Sequence, residues 1–250
     1  MVEFDNQDLS GSRFRHVDLS GSTFRNIDLS GARLVDVDLV DVEISGWLDN
    51  LRINEVDVAP LIEAELDRRH PDRVKMRPND AAGFREAWAI LERLWAGTVE
   101  RARRLPPELL HERVHDEWSF IETLRHLLFA TDAWVLRAFL GRPSPYDALD
   151  LPHTEMGDVP GVPCDLEARP TLDEVLALRA DRFRTVREVF EGLTDEVLAG
   201  HTEPVTAPGY PASESYAVQR CLRAAVNEEW EHRLYAERDL AVLEQRVRGR

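Results

Sequence analysis

The 250-residue chain sets 47 acidic side chains against 31 basic ones, a formal charge of −16, with a hydrophobic fraction of 43%. That length allows one large domain or two modest ones, and that composition supports a packed core rather than general disorder. The charge argues against nucleic acid as a partner, because a phosphate backbone calls for a Lys/Arg surface, and it disfavours anionic membranes. The opening residues MVEFDN lack the apolar segment of a secretion signal, and no run of about 18 apolar residues could span a bilayer. Cys164 and Cys221 are the two cysteines, far apart in the chain, which suits reduced thiols better than a disulfide framework. These features predict a soluble cytoplasmic protein that engages neither nucleic acid nor membrane.

The first 45 residues repeat with a period of five. Phe4, Leu9, Phe14, Leu19, Phe24, Leu29, Leu34, Leu39 and Ile44 follow one another at that spacing without a slip. Mostly small or β-branched residues stand two positions before them, and near-copies of DLSGS begin at Asp8, Asp18 and Asp28. Five matches neither the 3.6 of a helix nor the 2 of a strand. It suits a solenoid that turns a corner at each repeat and stacks like on like. The segment resembles the pentapeptide-repeat family. That resemblance implies a right-handed quadrilateral β-helix over residues 1–48, with the Leu/Phe centres turned inward and roughly two coils in all.

Residues 49–78 read as a connector with one short helix from about Pro60 to Arg69, opened by Pro60 and ended by His70-Pro71. Residues 79–250 are helical in pattern. Asn79 or Asp80 caps a helix to about Leu105, which Pro106-Pro107 breaks. A second helix runs from about Ser119 to Leu140, a third from about Leu172 to Leu193 with Thr171 as its cap, and a fourth from about Ser215 to Arg246. Six prolines fall within residues 142–170, and residues 202–214 are again loop. Four long helices with two long connections predict a four-helix bundle, so the fold class is α+β multidomain.

On the fourth helix, Cys221, Ala225, Glu228, Ala236, Asp239 and Leu243 fall within about 40° of His232. Glu228 and His232 are four apart and can reach one point. On the second helix, His126 has Glu122, Thr123, Ala130 and Ala133 as face neighbours, small or polar positions on an otherwise apolar element. Two imidazoles and a carboxylate make a chemically sensible divalent-metal site. On spacing alone the competing readings stay open: His126 as a hydrogen-bonded core residue, and Glu228 as one of several solvated charges.

The stretches HDEWSFIETLRHLLFATDAW (115–134) and NEEWEHRLYAERDL (227–240) resemble the DinB-like superfamily of metal-binding four-helix bundles, a likeness covering about residues 80–245. The resemblance implies a ligand histidine on the second helix and an H-x-x-x-H pair on the fourth. Carried across position by position, the outer ligands fall on His126 and His232. The middle one falls on Glu228, where this chain departs from the family by holding a carboxylate. Members of the superfamily include mycothiol-dependent maleylpyruvate isomerases and bacillithiol S-transferases. The resemblance therefore implies a divalent metal (zinc, with iron or nickel as alternatives), a small-molecule substrate, a low-molecular-weight thiol as co-substrate, and a homodimer.

Around this set, His153 on the long loop could close over the site as a base or fourth ligand, or be an exposed loop residue. Glu122 and Asp239 could orient the ligand imidazoles or form surface salt bridges, Cys221 reads as a buried inert thiol, and Trp118 as core. Two functions from different classes remain. One is a metal-dependent transferase, isomerase or hydrolase. The other is a non-catalytic interaction module using the repeat surface. Mimicry of DNA by the acidic repeat is disfavoured, because two coils are too short for a DNA-like rod.

Overall fold

The period of five is written into the backbone. Every fifth residue from Asn6 to Gly46 has a positive φ, and those positions hold Asn, Asp, His or Gly, the residues that tolerate left-handed backbone best. The computed structural model describes residues 2–115, 117–154 and 156–249, and the chain divides into two compact units, one ending at Leu48 and one beginning at Asp49.

In the first unit, Asp8, Asp18 and Asp28 each accept the amide of the serine two residues on, at 2.8–2.9 Å. The amides of Ser12, Ser22 and Ala32 close tight turns onto Leu9, Leu19 and Leu29. The expected inward column is not seen. Among the described residues no strand pairing joins the turns, and the nine Phe/Leu/Ile centres are 41–63% exposed. The physical reason lies in coil number: a centre is buried between neighbouring coils, and about two coils supply few neighbours.

The second unit opens with a hairpin absent from the sequence reading. Strands β1 (Arg52–Ile53) and β2 (Val56–Asp57) pair antiparallel, with Ile53 opposite Val56. Asn54 and Glu55 between them both have positive φ, as a two-residue hairpin turn of this twist requires. Helix α1 (Ala59–Arg69) carries Pro60 in its first turn, and a 3₁₀ helix, Pro71–Met76, follows.

Helix α2 spans Ala81–Ala102, its first turn capped by Asp80 accepting from the Gly83 amide at 2.7 Å. After a 3₁₀ turn at Pro107–His111 comes α3 (Phe120–Thr131), whose start is fixed by a reciprocal Ser119–Glu122 capping box. Its end differs from expectation: Asp132–Phe139 continue as π-helix rather than α-helix. Helix α4 (Leu172–Gly192) begins with a second capping box, Thr171–Glu174. A short α5 (Asp195–Leu198) and the long α6 (Val218–Arg248) complete the unit.

Helices α2 and α3 each pack against both α4 and α6, so the four close into a ring with α2 opposite α3. Phe84, Trp88, Leu91, Phe190, Leu222 and Val226 fill one part of the core; Leu124, Leu128, Leu240 and Leu243 fill another. All twelve residues of α3 are buried, the polar ones included. Two of its arginines order the long loops. Arg125 donates to the Leu149 carbonyl at 2.8 Å and to Asp165 at 2.6 Å. Arg137, in the π-helical extension, reaches Pro143 at 2.6 Å and Val205 at 3.1 Å. Irregular backbone leaves carbonyls without partners, and the guanidinium fork supplies several donors at once.

A buried ion pair ties α4 to α6: Arg179 meets the Glu229 carboxylate at 2.8 and 3.2 Å, with side chains 5% and 1% exposed. Replacing Arg179 by Met should lower the unfolding free energy by about 3–5 kcal/mol, because Glu229 is left as an uncompensated buried acid. Urea denaturation measures that loss, and Arg179→Met with Glu229→Leu should recover most of it.

Candidate metal centre

Helix α3 supplies His126, and α6 supplies Glu228 and His232 one turn apart. Glu228 Oε2 lies 3.4 Å from His126 Nε2 and 3.1 Å from His232 Nε2. One donor atom from each residue falls within 4.8 Å of the other two. Among the described residues no other group of three or more His, Cys, Asp or Glu side chains meets that condition. A tetrahedral ion with bonds of about 2.0–2.1 Å sets its ligand atoms about 3.3 Å apart, and the separations of Glu228 Oε2 from the two imidazoles are close to that.

Protonation makes the same point. His126 Nδ1 lies 2.9 Å from the Leu151 carbonyl, which fixes its hydrogen there. Burial pushes the His126 pKa down, outweighing the pull of Glu228, so the ring is neutral. Its Nε2 lone pair then faces the Glu228 carboxylate. Burial pushes Glu228 up, but the two imidazoles hold it well below the usual carboxylate range, so it is ionised. A cation between that nitrogen and the carboxylate would engage both. The donor set fits a divalent ion.

The indole of Trp118 closes one side. It lies 4.4 Å from the His126 ring and stacks on His232 at 5.8 Å and 23°. In the sequence Trp118 has the character of a core residue, and nothing in its spacing marks it as a neighbour of His126 and His232. Tyr235 meets His232 edge-on at 6.0 Å and is 42% exposed. Glu122 and Asp239 do not orient the imidazoles: Glu122 binds Arg113 and the Ser119 amide, and Asp239 binds Arg238. The orienting group is the Leu151 carbonyl, a backbone atom that no side-chain pattern reveals.

His153 lies outside the ligand cluster and packs edge-on against Tyr210 at 5.9 Å. Tyr210 in turn stacks on Phe129, beside His126. A cavity of about 340 Å³ opens within the long loop, lined in part by Pro152, Met156, Val162 and Cys164. None of His126, Glu228 and His232 lines it, so the loop meets this cluster through Leu151 rather than by walling a shared pocket.

A helical ring with three convergent donors on two adjacent helices defines the class of protein. The profile of the DinB superfamily matches residues 90–236, more than half of the chain, and the protein belongs to that superfamily. Pentapeptide repeats match residues 4–46 in eight copies. No curated protein and no solved structure matches the chain. Among the described residues no helix is long and apolar enough to cross a membrane.

The two cysteines differ sharply. Cys221 is fully buried, and burial pushes its thiol up to about 11; Cys164 is exposed. A thiol-specific aromatic disulfide reagent at pH 8 should therefore modify one thiol per native chain and two after denaturation. Modification of both in the native protein would contradict the placement of Cys221.

Proposed function

We propose that the protein is a metal-dependent enzyme acting on a small molecule, as a transferase, isomerase or hydrolase, with a low-molecular-weight thiol as candidate co-substrate. The observation that carries this reading is the convergence of His126, Glu228 and His232, with the His126 tautomer locked by Leu151. Zinc is the favoured ion, and iron or nickel suit the same two-nitrogen, one-oxygen set. When bound, such an ion would make a water or thiol nucleophilic near neutral pH. His126 and His232 would present nitrogen lone pairs and Glu228 a charge, while Trp118 would keep water from one side. His153 is proposed as a base that reaches the centre by way of the long loop.

A second reading, docking of protein chains by the repeat, is favoured by the nine exposed apolar centres. We propose that the chain forms a homodimer. Light scattering at micromolar concentration should give twice the 28.6 kDa chain mass, and a monomer mass would remove the proposal.

Calorimetric zinc titration of the metal-free protein should show one site per chain. His232→Ala should abolish stoichiometric binding, and His126→Ala should weaken it by about 100-fold or more. Glu228→Gln should weaken it by removing a charge, whereas Glu228→His should keep or strengthen it. No stoichiometric metal in the wild type, with only stability losses in the variants, would sink the metal reading.

A further inference from the structure

The segment that supplies the Leu151 carbonyl also buries a carboxyl group the centre does not use. Asp150 is 0% exposed, and neither of its oxygens has a partner among ordinary donors. It lies within hydrogen-bonding reach of Asp132, also 0% exposed, at the start of the π-helical extension of α3. Asp132 is held by Arg182 of α4 in a two-pronged pair, both contacts 2.8 Å. Asp181 of α4 also pairs with Arg182, and Asp147 of the same segment adds a further negative charge. Two buried acids thus face one cation that Asp132 already engages. Both cannot be ionised without leaving an unmatched charge in a dry interior. A carboxyl group that keeps its proton can instead donate it to its neighbour.

We propose that Asp150 is a proton-operated latch: protonated, it donates to Asp132 and seats residues 147–151 against α3; deprotonated, it releases them. The seated segment is otherwise held by the Leu151 amide donating to the Arg125 carbonyl at 3.3 Å and by the Arg125 guanidinium on Leu149. Release withdraws the Leu151 carbonyl from His126 Nδ1 and frees the ring to turn or change tautomer. Asp150 is then a positioning residue for the centre. This consequence rests on the metal reading; the latch itself does not.

The sign of the pH dependence follows from linkage. Burial, with the charge of Asp132 next, pushes Asp150 up to about 9 when seated; released into water it returns to about 3.9. The seated state therefore binds the proton more tightly. Its advantage is complete below about pH 4 and falls as pH rises, until the seated group itself ionises near pH 9. Opening of the segment should become about tenfold easier per pH unit between pH 6 and 9 and then level off.

Hydrogen exchange at the Leu151 amide, divided by its intrinsic rate, reads that opening, with α2 core amides as the control for global unfolding. The wild type should show the tenfold slope, and Asp150→Asn, neutral at every pH and still a donor to Asp132, should be flat. In Asp132→Asn the rise should level off at lower pH, because Asp150 then ionises in place more easily. That variant decides the matter if Asp150→Asn fails to fold. A flat wild-type profile, an unchanged slope in Asp150→Asn, or an unmoved plateau in Asp132→Asn would each overturn the latch. A tenfold slope in a protein that takes up no zinc would uphold the latch and remove the metal reading. Stoichiometric zinc with a flat slope would do the reverse.

Discussion

Helix α3 is buried along its whole length, so its polar side chains have little access to water. An unmet donor or acceptor in such a place costs about 1–3 kcal/mol, and an unmatched charge costs more. Each polar group on the helix and its π-helical extension therefore has to find its partner in the protein. Glu122 takes Arg113 and the Ser119 amide, Arg125 takes loop carbonyls, His126 takes Leu151, and Asp132 takes Arg182. The long loops are ordered from within by this helix.

Glu228 is only partly buried, and the two imidazoles beside it keep it an anion. The family resemblance places an imidazole where this chain has Glu228. A divalent ion held by two neutral nitrogens and one carboxylate keeps one positive charge less than one held by three imidazoles. That lowers its pull on a bound nucleophile and raises the electrostatic share of ion binding. The carboxylate would therefore change the electronics of a bound ion from a single position of α6.

The repeat unit obeys a different constraint. Its backbone is set by local chemistry: residues that accept positive φ stand at every fifth position, and Asp carboxylates catch the amides two residues on. Local rules of this kind produce turns without requiring a core. Burial of the apolar centres is a cooperative property of many stacked coils, and in this short segment those centres are exposed.

What the sequence determined by itself is what neighbouring residues dictate. The period of five, the Asp80, Ser119 and Thr171 helix starts, the proline-bounded loops, and the pairing of Glu228 with His232 one turn away were all legible, because each depends on spacing along one element. The alignment of α3 with α6 that brings His126 to that pair was legible only through family resemblance. The tertiary structure alone decided the rest. Leu151 reaches His126 because Arg125 anchors the loop; Trp118 lies on both imidazoles because the capped start of α3 turns it there. Glu229 is a buried ion-pair partner, and Asp150 sits beside Asp132, and nothing in their local sequence marks either role. These pairings join residues far apart in sequence, where no period or propensity acts. They are fixed by the requirement that a helix closed off from water satisfy all of its polar groups.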